Sequence, residues 1–276
     1  MPSTVRYHPA VATSSFQPQE IKSPAWARYY RRHGTAFARS AAPSIRSFYE
    51  STRGERADRS LLDVCCGQGT LAKHFLEHGY QVTGIDLSEP MLAVARETLR
   101  EHLQAGRALL VRADAANFSV DARFVLATAT FDSLNMLQSL AALQSCFGCV
   151  RRALLDDGMF VFDLMTRRGF WRDYNTVWVA DTEDELYVLK SVYDGGDKAA
   201  TRMTGFIRSE DGRWERFEEL RTPTLFSAPA VVAALRQVGW SRVWMARIDD
   251  LASPIEDAEE FDRVWFVATN PSPSAR

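Results

Sequence analysis

"LLDVCCGQGT", residues 61–70, decides the fold. A short apolar run reaches an acid, Asp63, and two adjacent cysteines, Cys65 and Cys66, before Gly67 and Gly69 open an amphipathic stretch. Gly67-x-Gly69-x-x-Ala72 satisfies the strand–turn–helix pattern in which glycines let a ligand approach the backbone beside a helix N-terminus. Asp86, closing "YQVTGID", stands on the next apolar run, where a carboxylate accepts hydrogen bonds from both ribose hydroxyls of any adenosine ligand. Glycines and Asp86 together do not separate a nicotinamide cofactor from S-adenosylmethionine.

Outward from this loop the rhythm repeats. Apolar runs predict strands over 61–65, 81–85, 108–112, 123–129 and 158–164, alternating with helices over 69–78, 89–104 and 136–155. Such alternation predicts an α/β fold, a doubly wound Rossmann-like sheet with helices on both faces. Beyond Asp163 the pattern changes. Residues 176–221 hold four strand-like runs separated by "DGGD" and "EDGR", which are hairpin signals. A helix over 228–238 and strands over 240–247 and 263–269 complete the chain. Ahead of the sheet, "PAWARYYRRHGTAFARSAAPSIRSFYEST" has helical spacing, with Pro43 expected at the start of a second helix. The expected division is a tail over 1–22, an N-terminal helical lid over 23–56, a Rossmann-like domain over 57–170 and 225–270, an antiparallel β insertion over 171–224, and a tail over 271–276.

A formal net charge of -2 and a pI near 6.2 provide no field that would draw the whole molecule to nucleic acid or an anionic membrane, so neither is an expected partner. The first residues lack the apolar core of a secretory signal, and the cytoplasm is the expected compartment. No pattern in the sequence reads out an oligomeric state. The four cysteines, Cys65, Cys66, Cys146 and Cys149, read as small core residues, since two adjacent cysteines seldom turn both sulfurs onto one tetrahedral ion. "HFLEH", His74 to His78, matches a zinc-protease string but belongs to the helix leaving the glycine loop, so no metal is expected.

Asp63 separates the two cofactors. A dinucleotide brings a doubly anionic pyrophosphate to this turn, whereas S-adenosylmethionine brings an ammonium and a sulfonium, and the acid favours the cationic ligand. In "VRADAANF", Asp114 is positioned to accept from an adenine amino group while the Ala115 N–H meets a ring nitrogen. Three acids at the ends of successive parallel strands would line one crevice.

"LLDVCCGQGT", "GIDLSEPMLAVARE", "RADAANF", "TFDSLNML" and "LLDDGMFVFDL" resemble the successive motifs of class I S-adenosylmethionine-dependent methyltransferases. The resemblance covers residues 61 to about 165 and implies a seven-stranded methyltransferase sheet. It implies that Asp63, Gly67 and Gly69 hold the methionine part of the cofactor, that Leu87 and Met91 flank the adenine, and that Thr130 and an arginine ahead of the first motif, Arg39 in preference to Arg46, complete the set. Cys66 stands where the family's "D-x-A-C-G-x-G" carries a cysteine, and Cys65 replaces its alanine. No [DN]-P-P-[YF] or Pro-Cys pair is present, which argues against DNA bases and glutamine amides as acceptors, and "FDSLN", residues 131–135, resembles a subgroup that methylates small molecules, including glycine, amino sugars and bacterial specialised metabolites. In that subgroup a hairpin-rich insertion roofs the active site. The implied function is methyl transfer to N, O or C of a small acceptor, probed against two alternatives, an NAD(P)-dependent oxidoreductase and a non-transferring S-adenosylmethionine-binding protein. Candidate catalytic residues are Tyr29 and His33 from the lid, Asn135 from the floor and Glu219 from the roof, where Trp171, Trp178, Tyr187, Phe206 and Trp214 also offer aromatic surface.

Overall fold

The computed structural model describes residues 23–53 and 59–269; the two expected tails lie outside the described residues. Helix α1 (Pro24–His33) starts where the Ser23 side chain accepts the Trp26 N–H and Pro24 supplies a preset first turn. It ends at Gly34, where the Tyr30 ring leaves no room for a Cβ, and α2 (Thr35–Arg53) follows at once. Pro43 therefore does not start a helix but lies inside α2, on its exposed side. An interior proline costs a helix about 3 kcal/mol. Burial of Ala41, Ala42, Ile45 and Tyr49 against the sheet holds the helix through it.

The sheet is built from β1 (Ser60–Val64), α3 (Thr70–Glu77), β2 (Gln81–Asp86), α4 (Glu89–Thr98), α5 (Arg100–Gln104), β3 (Ala108–Arg112), β4 (Phe124–Ala129), α6 (Leu140–Ala153) and β5 (Leu154–Met165). After β5 come α7 (Arg167–Asp173) and the strands β6 (Val177–Asp181), β7 (Glu185–Tyr193), β8 (Ala199–Arg208) and β9 (Trp214–Arg221). The chain then returns through α8 (Ala228–Gln237), β10 (Arg242–Ala246) and β11 (Arg263–Thr269). The strand order is β10-β11-β5-β4-β1-β2-β3, with β1 to β5 parallel and β11 antiparallel to both neighbours. This is the expected seven-stranded Rossmann-like sheet, with β6 to β9 as a separate antiparallel meander.

Alternate residues of each strand face different layers. Leu62, Ala127, Phe160, Phe162 and Phe266 pack under α6 and α8, while Leu61, Leu126, Val161 and Trp265 pack under α2 and α3. Cys146 and Cys149 are buried in the first layer, and the cysteines of the described residues are free. No helix among the described residues is long and apolar enough to cross a membrane.

Two expected helices divide. The helix expected over 89–104 breaks at Leu99, whose buried side chain reaches the space left by Gly69, 3.1 Å from where a Cβ would stand. The one expected over 136–155 becomes a short 3-10 turn, Ser133–Met136, followed by α6, because the Ser139 hydroxyl accepts the Ala142 N–H and starts a new helix. Strand β5 then begins earlier than expected, at Leu154, across a register shift opposite Phe124 and Leu126.

Candidate active site

The parallel strands reverse their order between β1 and β4, and the crevice opens there, at their carboxyl ends. Gly67, Asp86, Leu87, Ser88, Met91, Asp114, Ala115 and Thr130 line its wider part. A narrower extension is lined by Asp63, Gln68, Thr70 and again Gly67 and Thr130. Gly67 adopts a φ of 55°, a conformation open to glycine at little cost, and its N–H donates to Asp86 Oδ2 at 2.8 Å. The Ser88 N–H donates to Asp86 Oδ1 at 2.9 Å. Each oxygen of this carboxylate keeps a further acceptor site for a ligand hydroxyl. Asp114 Oδ1 accepts the Ala116 N–H at 2.8 Å, fixing the turn that presents Ala115 to the same crevice.

Asp63 tests the cofactor directly. Its Oδ1 accepts from Thr128 Oγ1 at 3.0 Å, whereas Oδ2 is buried with no partner. Burial pushes the carboxyl up to about 7, with the Thr128 hydrogen bond opposing and the Asp86 charge adding. An orphaned carboxyl oxygen at the glycine loop fits the ammonium of S-adenosylmethionine, whose charge would favour its ionised form, and offers nothing to a pyrophosphate.

The meander roofs the crevice. Its inner face, Tyr187, Met203, Ile207 and Phe217, packs on Trp26, Tyr29 and Tyr30 of α1. Between roof and sheet lies a second cavity of about 390 Å³, within the range of small-molecule sites. Trp26, Tyr29, Tyr174, Trp178 and Tyr187 line it, and Glu219 and Arg221 line both this cavity and the crevice. Glu219 is thus the expected catalytic candidate that reaches both. Burial pushes its carboxyl up to about 7, opposed by the charge of Arg221. Tyr29 meets Tyr187 at 5.0 Å between ring centroids, and burial plus a hydrogen bond to Tyr187 raise its phenol above the ordinary range, making it a donor rather than a base. Of the expected roof aromatics, Trp171, Phe206 and Trp214 are exposed and line neither cavity.

The turn after β4 forms the partition. Phe131 and Asp132 both have positive φ, 65° and 48°, which non-glycine residues adopt at a cost. Asp163 holds them there by accepting both N–H groups, at 2.7 and 2.9 Å. Arg263 bridges Asp163 and Asp132, and its guanidinium lies over the Phe37 ring. Sequence reading missed this cluster, and also Arg221. Only the period-two alternation of Phe217, Glu219 and Arg221 along β9 could have signalled the latter.

Four expected site residues are placed elsewhere. His33 Nε2 lies 2.7 Å from Glu185 Oε1 at the exposed end of α1, outside both cavities, because the last turn of α1 points to the meander edge. Asn135 is fully buried as a latch: Nδ2 donates to the Thr224 carbonyl at 2.8 Å and Oδ1 accepts the Met165 N–H at 3.0 Å, and the residue lines neither cavity. Arg39 falls on the exposed side of α2 and lines neither part of the crevice; Arg46 is engaged with Glu50 and His74. Gly69, with φ 78°, serves the turn and the approach of Leu99 rather than the crevice wall. His78 Nδ1 lies 2.7 Å from the His74 carbonyl, and among the described residues no group of three His, Cys, Asp or Glu is arranged to hold a metal ion.

Known proteins place this geometry. A methyltransferase-domain family model matches residues 61–158. The chain is 28% identical over 219 residues to the dTDP-3-amino-3,4,6-trideoxy-alpha-D-glucopyranose N,N-dimethyltransferase of Streptomyces venezuelae, covering 76% of this chain and 86% of that one. An S-adenosylmethionine-dependent methyltransferase from Clostridium acetobutylicum ATCC 824 superposes with a TM-score of 0.75 at 18% identity, covering 90% of this chain and 98% of that one. The sugar N-methyltransferase KedS8 from Streptoalloteichus sp ATCC 53650 gives 0.72 at 23% identity, covering 96% and 100%. At these identities the two structures speak for the fold.

Proposed function

Because this chain is a class I S-adenosylmethionine-dependent methyltransferase, we propose that it methylates the nitrogen of a small-molecule amine held in the roofed cavity, with Glu219 taking the proton. The observation that carries this reading is Glu219 itself, a buried carboxylate lining both the cofactor crevice and the cavity. A carboxyl pushed up to about 7 suits proton transfer near neutrality. Supporting it, curated relatives from Streptomyces fradiae and Streptomyces venezuelae are named as amino-sugar N,N-dimethyltransferases, and we place the reaction in specialised metabolism on that ground.

Asp63 would hold the cofactor's ammonium, Asp86 its ribose hydroxyls, and Asp114 with Ala115 the adenine edge between Leu87 and Met91. S-adenosylmethionine supplies an electrophilic methyl group on a sulfonium, whose charge is lost on transfer. The protein's part is to orient the amine and limit its contact with water, and aromatic side chains of α1, β6 and β7 line the cavity where that would happen. An ammonium cannot attack, and an ionised Glu219 takes up the proton that the amine must shed.

The test is Glu219→Gln, assayed by S-adenosylhomocysteine release with an amino-sugar panel. Turnover falls by roughly 100-fold or more, and the limb of the pH profile that rises through about 7 disappears. Cofactor affinity stays put. Unchanged turnover would remove Glu219 from the reaction and the amine reading with it.

A further inference from the structure

Arg221 is the only Lys, Arg or His among the described residues that line the two cavities. The other cations near the site already have partners. Arg263 pairs with Asp132 and Asp163, Arg172 with Asp173 and Asp262, and Arg28 with Glu215. Two of the carboxylates in the acceptor cavity, Asp132 and Asp173, are therefore neutralised without Arg221. The Arg221 guanidinium makes no hydrogen bond or ion pair among the described residues; its Cζ lies 5.0 Å from the centroid of the Trp26 ring. The Trp26 indole N–H, buried in the same wall, has no acceptor either. A half-buried guanidinium and a buried N–H without oxygen partners are costly to leave unmet.

Where Arg221 sits narrows the choice of oxygen. It lines the wide crevice and the acceptor cavity but not the narrow extension beside Asp63, where the methionine end of the cofactor would lie. On β9 it shares a face with Glu219 two residues earlier, a spacing of about 7 Å along a strand. The two side chains form no ion pair, so each is left to meet a different group on one bound molecule.

We propose that Arg221 anchors an oxyanion on the acceptor, so that the substrate is an amine carrying a carboxylate or phosphate, its nitrogen at Glu219 and its anion at Arg221. This rests on the methyl-transfer reading of the same cavity. The planar guanidinium matches either oxyanion with two parallel N–H donors, and its place over the Trp26 ring holds it at the cavity.

The full-length protein saturated with S-adenosylhomocysteine is titrated calorimetrically with two matched pairs. D-glucosamine 6-phosphate against D-glucosamine tests the phosphate, and L-tyrosine against tyramine tests the carboxylate. In at least one pair the anionic member binds more tightly, by roughly 10- to 100-fold. Arg221→Met erases that preference and Arg221→Lys restores part of it, while the thermal unfolding midpoint, measured alongside, reports that the variants fold. The pair that responds identifies the oxyanion. Equal binding of charged and neutral members in both pairs overturns the proposal. So does an equal loss for both members in Arg221→Met, which would mean that Arg221 only balances the charge of Glu219. Methyl transfer is read separately, by S-adenosylhomocysteine release from S-adenosylmethionine with the same four compounds. Arg221-dependent binding without release counts against transfer to these amines and leaves the anion site standing; release with neutral and charged members alike does the reverse.

Discussion

Asp63 and Asp163 are the same side chain at matching places, near the carboxyl ends of β1 and β5 of one sheet, and both are buried. Their surroundings differ. Asp163 accepts two backbone N–H groups and pairs with Arg263, whereas Asp63 accepts one hydroxyl and keeps an orphaned oxygen. A filled hydrogen-bonding shell marks a charge that holds structure; an unfilled one marks a charge that waits for a ligand. Removing the partner of the first should therefore unfold, and neutralising the second should not. Arg263→Met leaves Asp163 and Asp132 uncompensated and should cost about 3–5 kcal/mol, read as a lower unfolding midpoint in thermal or denaturant scans. Adding Asp163→Asn should return part of that loss, because the uncompensated charge goes with it. If Arg263→Met unfolds no earlier than the parent, the cluster is not what fixes the turn.

Asp63→Asn sharpens the other half. The amide keeps an acceptor for Thr128 and removes the charge, so the ligand-free protein should lose no stability at neutral pH, while S-adenosylmethionine affinity falls on the order of tenfold or more by calorimetry. The pH dependence has a definite sign. With its carboxyl raised from 3.8 to about 7, folded Asp63 keeps a proton that the unfolded chain releases. Its contribution to stability is fully present below the unfolded value of 3.8 and is lost as pH rises to about 7. The midpoint of Asp63→Asn should accordingly gain on the parent between those limits, and saturating cofactor should close the gap. A gap that shrinks with rising pH, or that ignores the cofactor, would show that Asp63 is not the waiting charge.

The two aspartates also divide what the sequence discloses. Asp63, Gly67 and Asp86 belong to one strand–turn–helix unit and the strand beside it, so spacing alone brings them to one crevice. Arg263 reaches Asp163 across one hundred residues, through the pairing of β11 with β5, and no local pattern announces it. The left-handed turn at Phe131 and Asp132 carries no glycine to mark it. Asn135 and His33 read as catalytic because their chemistry suits catalysis, but partners distant in sequence, Thr224 and Glu185, claim them. Arg39 is a matter of helical phase: Pro43 lies within α2 rather than at its start, and the helix turns Arg39 to its exposed side.

Cys66 sets the lower bound of the comparison, three residues from Asp63 on the same loop. Its N–H donates to the Ile85 carbonyl at 2.9 Å, a bond any residue makes, and burial pushes its thiol well above the ordinary range, so it offers no thiolate to a metal or an electrophile. The sulfur packs against Gly84, where a Cβ would stand 2.9 Å away, and that contact is what the side chain supplies. Cys66→Ala should cost about 1 kcal/mol or less and leave turnover within roughly twofold of the parent, because alanine removes packing and no hydrogen bond. Retained folding with a large loss of turnover would mean that the sulfur, and not only the acid and glycines around it, takes part in the chemistry.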